Sequence, residues 1–120
     1  MNKRADRYVR EFARAAARQG KASQDGNYKV ANRNYYLEVR LVRRIKAAGE
    51  LLSLRVLLDD ENPWVRLAAA TYLLEVDEPN AIRILKEIGT QHGFVSLDAK
   101  IILDQWRTER KSFIPDLPES

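Results

Sequence analysis

"DDENPWVRLAAATYLL", residues 59–74, places three acids, an asparagine and a proline directly before an apolar stretch that contains one arginine. Each part has a physical reason if a helix begins at Pro63. Asp60 or Asn62 accepts hydrogen bonds from the free amide groups of the first turn. Pro63 suits that turn, because an N–H there would have no partner inside the helix. Asp59, Asp60 and Glu61 sit at the positive end of the helix dipole. Trp64, Leu67, Ala68, Thr71, Tyr72 and Leu74 then continue the helix to about Val76. "ELLSLRVLL" (50–58) precedes it as a short helix with Leu51, Leu54 and Leu58 on one stripe. The stretch is therefore the turn inside a pair of packed helices.

The same reading extends in both directions. Residues 3–19 predict a helix with Tyr8, Val9, Phe12, Ala13 and Ala16 on one face and Gly20 as its stop. Asp25-Gly26 breaks the chain, and a long helix follows over 27–48, ended by Gly49. Tyr28, Ala31, Tyr35, Val39 or Glu38, Val42 and Ile45 track its inner side. "EPNAIRILKEIGTQHG" and "FVSLDAKIILDQWRTER" predict a fifth and a sixth helix. The tail 113–120, with two prolines in "IPDLPES", reads as extended or disordered, leaving 1–112 as a single domain.

An internal repeat joins these pieces. At an offset of 30 residues Trp64 falls on Phe94, Val65 on Val95, Leu67 on Leu97, Ala69 on Ala99 and Leu73 on Leu103. Upstream, Leu52, Leu54 and Leu58 fall on Ile82, Ile84 and Ile88. A fixed offset across two helices is the signature of a helical-hairpin repeat, in which stacking buries faces that one hairpin leaves open. The expected fold is all-α, with about six helices paired as three antiparallel hairpins.

"LLDDENPWVRLAAATYLL" also resembles a HEAT repeat, with its Leu-Leu-x-Asp, short turn and Val-Arg-x-x-Ala-x-x-x-Leu. That resemblance implies a short right-handed solenoid, with Asp60 and Arg66 hydrogen-bonding between neighbouring hairpins. Thr90 and Ser96 stand at the matching positions of the next repeat, so the ladder and the stack are expected to end there. Over nearly the whole chain, "ANRNYYLE", "LLDDENPWVRLAAA" and "SLDAKIILDQWR" resemble a family of small bacterial HEAT-like proteins catalogued as a domain of unknown function. That resemblance implies a fold and supplies no activity.

Charge narrows the function. The 120-residue chain has a net charge of +4, but residues 1–48 carry 13 Lys/Arg against 4 acids, a net +9, and residues 49–120 carry a net −5. A basic end of this kind faces either solvent or an anionic partner. Without cysteine there is no disulfide, thiolate metal site or thiol nucleophile. No run of 18 apolar residues exists to span a membrane. The N-terminus lacks the apolar core of a secretory signal, and Asp6 and Glu11 disfavour a transit peptide, so a cytoplasmic protein is expected. His92 is the only histidine, and no serine or threonine has a base beside it in sequence. Neither catalysis, nor a cofactor, nor a metal is expected.

The expected role is a non-enzymatic interaction module, with the second helices of the hairpins forming a concave surface for another protein. Arg33, Tyr36, Arg40, Trp64, Arg66, Asp98 and Lys100 are the candidate binding residues. Arginine and tyrosine together are typical of interface hot spots. A regulatory or toxin-neutralising partner is one step further. The alternative is nucleic-acid binding through the basic N-terminal half. There, Arg7, Arg10, Arg14 and Arg18 recur at helical spacing, and HEAT-like DNA glycosylases supply a precedent for such a groove.

Overall fold

A computed structural model of the chain describes residues 3–116. Five α-helices and one 3-10 helix follow one another: α1 (Lys3–Gln24), α2 (Tyr28–Ala47), a 3-10 segment (Leu51–Asp59), α3 (Pro63–Leu73), α4 (Glu78–Gly89) and α5 (Phe94–Glu109). Among the described residues there is no strand. They pack as three antiparallel hairpins: α1 on α2, the 3-10 segment on α3, and α4 on α5. The extents, 36 × 32 × 28 Å, are nearly equal, so the hairpins close into a globule rather than opening into a long superhelix. No helix among the described residues is long and apolar enough to cross a membrane.

α1 does not stop at Gly20. It runs one turn further and buries Gly20 with Phe12, Ala15 and Ala16. A glycine inside a helix normally costs about 1 kcal/mol relative to alanine. Here it is needed, because a Cβ on Gly20 would lie 2.1 Å from Trp64 Cγ. The chain turns instead at Asp25-Gly26, where Gly26 takes φ +75. The Asn27 side chain then caps α2 by accepting from the Val30 amide at 3.3 Å.

The buried stripe of α2 is Ala31, Asn34, Glu38, Val39, Leu41, Val42 and Ile45. Tyr28 and Tyr35, expected on the inner side, are instead exposed at its surface. The short helix expected here forms over residues 51–59 and is wound as a 3-10 helix. Leu51, Leu54 and Leu57 recur at three residues, the 3-10 period, and are buried together with Leu58, the third member of the expected stripe.

The turn before α3 follows its residues closely. Asn62 caps the helix, its side-chain oxygen accepting from the Trp64 amide at 2.9 Å, and Asp60 Oδ1 accepts from the Asn62 amide at 2.9 Å. Pro63 opens the first turn. Arg66, however, does not bridge to a neighbouring hairpin through the Asp60 carboxylate. Its Nη1 donates to the backbone carbonyls of Asp60 and Glu61, at 2.5 and 3.1 Å, within its own turn. One repeat later Ser96 plays the same part with a shorter reach, its hydroxyl donating to the Gly89 carbonyl at 2.9 Å. Ion pairs between hairpins fall elsewhere: Arg55 Nε on the 3-10 segment meets Asp77 Oδ2 at 2.8 Å, just before α4, and Lys46 Nζ on α2 meets Glu75 Oε2 at 2.8 Å, just after α3.

The 30-residue repeat holds in the core and fails at one edge. Leu54 and Ile84, Leu58 and Ile88, Val65 and Val95, Ala69 and Ala99, and Leu73 and Leu103 are all buried. Trp64 is 8% exposed, whereas its counterpart Phe94 is 61% exposed, and Leu97 and Ile101 lie open beside it. α1 covers this face of α3 at Gly20, and among the described residues no α1-like helix covers it on α5. After α5, Phe113 and Ile114 pack half-buried against the core without forming a helix. The remainder of the tail, 117–120, lies outside the described residues.

Candidate functional site: an arginine-rimmed groove on the first hairpin

The groove follows from the periodicity of α2. Val30, Asn34 and Leu37 recur at steps of four and three and lie along one line of the helix. Arg33, Tyr36 and Arg40 recur at three and four and form the next line outward. Arg18 faces them from α1, and these seven residues enclose a cleft of about 600 Å³. Val30 and Leu37 make an apolar floor, with Asn34 between them. The Asn34 amide is already used, since its Nδ2 donates to the Val30 carbonyl at 2.9 Å. Tyr36 stands on the rim with 57% of its surface open, its ring 5.7 Å from that of Tyr35.

Arg18, Arg33 and Arg40 make no ion pair among the described residues. Some cations elsewhere are matched. Lys46 meets Glu75 at 2.8 Å, Arg83 meets Glu87 at 3.4 Å, and Arg110 meets Glu78 at 2.6 Å. Two acids on the first hairpin are paired away from the groove: Glu11 with Arg7 and Asp25 with Lys21. Glu38 points the other way, into the core, where it is 2% exposed and its Oε2 has no hydrogen-bond partner. Burial pushes its carboxyl up to about 8, so at neutral pH it is mostly protonated and offers the groove no negative charge. Tyr72, which packs edge-on against Phe12 at 5.8 Å, is held above the usual tyrosine range by its own burial and then by Glu38.

Of the seven candidate residues, the structure brings together Arg33, Tyr36 and Arg40. Trp64 lies in the core against Gly20. Arg66 serves its own turn. Asp98 and Lys100 are on α5 in the third hairpin, where partial burial raises the Asp98 carboxyl above its ordinary value and Lys100 is exposed. Sequence reasoning missed Val30, Asn34 and Leu37 as a floor. Their four- and three-residue spacing was the available signal, but it runs beside the more apolar core stripe. Arg18 was visible as part of the α1 arginine series, though not as the opposite wall.

Other chemistry is sparse. His92 is exposed in the loop between α4 and α5. No group of three or more His, Cys, Asp or Glu among the described residues is placed to hold a metal. The cleft is lined by cations, an amide, a phenol and aliphatic groups, a set suited to holding an anionic surface. No protein-family model, no curated protein and no solved structure matches the chain.

Proposed function

We propose that the protein is a non-enzymatic, cytoplasmic binding module that holds a partner protein by an acidic segment in the groove of its first hairpin. The observation that carries this is the convergence of three exposed arginines, none of them in an ion pair among the described residues, around an apolar floor on the basic first hairpin. Arginine and tyrosine on a rim around apolar side chains are the residues that dominate binding energy at interfaces. The excess positive charge would also speed the encounter with an acidic partner. The three-hairpin stack fits the HEAT-like class that the turn motif resembles, and supplies a rigid support for such a surface.

A second reading, nucleic-acid binding, is favoured by one feature: Arg10, Arg14 and Arg18 form an exposed stripe on α1, and Arg18 shares the cleft with the exposed Tyr36 of α2. Stacking on such rings beside cations is how single strands are held without sequence preference. Salt titration separates the two. The affinities of an acidic peptide, a random single strand and a random duplex are measured from about 50 mM salt upward, where phosphate contacts give log K falling steeply with log salt. Tight, shallow-sloped peptide binding that is lost in Arg33→Glu/Arg40→Glu supports the protein partner. Failure of every polyanion to bind at about 50 mM salt contradicts both readings.

A further inference from the structure

The shape of the groove restricts the conformation of what enters it. Its floor and rim are lines of side chains parallel to the α2 axis, spanning residues 30 to 40. At 1.5 Å per residue that is roughly 15 Å, or about three helical turns. The wall opposite is another helix, α1, running antiparallel to α2. Neither wall offers a backbone partner, because the amides and carbonyls in the middle of both helices are engaged within the helices themselves. The one buried polar side chain of the floor, Asn34, is tied to Val30.

An extended peptide laid here would therefore bury amide and carbonyl groups with nothing to bond them. Each such loss costs on the order of a full desolvation penalty. A helical segment satisfies its own backbone and presents only side chains. A channel between two antiparallel helices is also the place where a third helix seats its ridges.

From this we infer that the occupant is an acidic amphipathic helix of about three turns, lying along the channel between α1 and α2. Its apolar side chains rest on Val30, Leu37 and the ring of Tyr36. Its carboxylates meet Arg18 on one wall and Arg33 and Arg40 on the other. The inference rests on reading the groove as a partner site and adds the conformation and side-chain pattern of the partner. Arginine suits the rim because its planar, always-charged fork accepts a carboxylate through two parallel N–H donors. Arg33 and Arg40 are seven residues apart and so stand on one face, two turns from each other. They would read carboxylates at matching i and i+7 positions of the incoming helix.

The test uses the full chain and synthetic peptides of about 14 residues, about four turns. One peptide spaces Leu and Glu to make an amphipathic helix. A second has the same composition scrambled to abolish the apolar stripe. A third is oligoglutamate, and a short single-stranded DNA is the fourth probe. Affinity is read by fluorescence anisotropy, and the conformation of the bound peptide by its carbon chemical shifts. The expected result is binding of the amphipathic peptide at least about tenfold tighter than the scrambled one, the effect of seating one or two apolar side chains. Its bound shifts are helical. Tyr36→Ala, a change at an exposed ring, weakens the amphipathic peptide several-fold and leaves oligoglutamate unaffected. Equal binding of amphipathic and scrambled peptides, or extended shifts in the bound state, overturns the helix and leaves a charge-selective partner site standing. No peptide binding at all removes the partner reading as well. DNA binding tighter than every peptide also overturns the inference, and replaces the partner reading with a nucleic-acid one.

Discussion

Gly20 and Trp64 form a matched pair: the indole fills the volume that any side chain on the glycine would need. A Cβ at position 20 would meet Trp64 Cγ at 2.1 Å, Cδ2 at 2.5 Å and Cβ at 2.6 Å. These are the first atoms of the tryptophan side chain, and they cannot move aside without shifting α3. The contact fastens the first hairpin to the second and so fixes the helix that carries Arg18.

Gly20→Ala is therefore expected to destabilise the protein. Helix propensity alone favours alanine by about 1 kcal/mol. Overpacking of a filled core typically costs about 1–3 kcal/mol, and the overlap here is severe enough for that effect to prevail. Urea denaturation measures the net effect as a lower midpoint at an unchanged slope. Trp64→Leu in the Gly20→Ala background should recover part of the loss. An increase in stability on Gly20→Ala would mean that Trp64 does not occupy this space.

The turn before α3 should show a particular pattern of coupling. Asp60 holds the Asn62 amide with its side chain, while Arg66 holds the Asp60 and Glu61 carbonyls, which no substitution removes. Asn62→Ala is expected to cost about 1 kcal/mol as the loss of a cap. In double-mutant cycles Asp60→Ala should be additive within about 0.5 kcal/mol with Asn62→Ala and with Arg66→Ala, because each of these side chains bonds a backbone group that the other substitution leaves in place. A larger Asp60–Arg66 coupling would restore the side-chain ladder that the HEAT resemblance implies.

Glu38 makes stability depend on pH. Below about pH 4.5 its carboxyl is protonated in both the folded and the unfolded chain. Between 4.5 and about 8 the unfolded chain ionises while the folded one keeps its proton, so stability falls as pH rises through this window. The shift corresponds to a loss of roughly 5 kcal/mol by pH 8, at about 1.4 kcal/mol per pH unit. Glu38→Gln should flatten the decline, measured as unfolding midpoints at pH 5, 6.5 and 8. A wild-type protein equally stable at these three values would show that Glu38 finds a partner or solvent on ionising.

The helices were legible because their signals are local. Asn62 and Pro63 start α3, Gly26 and Gly49 end turns with positive φ, and the buried spacing of Leu54, Ile84, Val65 and Val95 repeats at one offset. What was not legible depends on a second element. Gly20 reads as a helix stop until Trp64 is seen against it. Phe94 reads as core because Trp64 is core, yet burial at that position is supplied by α1, which covers only one of the two repeats. The site divides in the same way. Arg33, Tyr36 and Arg40 share a face of one helix and could be grouped from spacing, but the floor and the opposing Arg18 exist only once two helices pack.

The most direct measurement compares stability and binding in one variant, Arg18→Glu/Arg33→Glu/Arg40→Glu. All three side chains are exposed and without ion pairs among the described residues, so each change should move stability by no more than about 0.5 kcal/mol. Urea denaturation gives that figure, and fluorescence anisotropy of the acidic amphipathic peptide gives the affinity under the same conditions. The expected result is a folded protein with near wild-type stability that no longer binds the peptide. A folded variant that binds the peptide as tightly as wild type would contradict it.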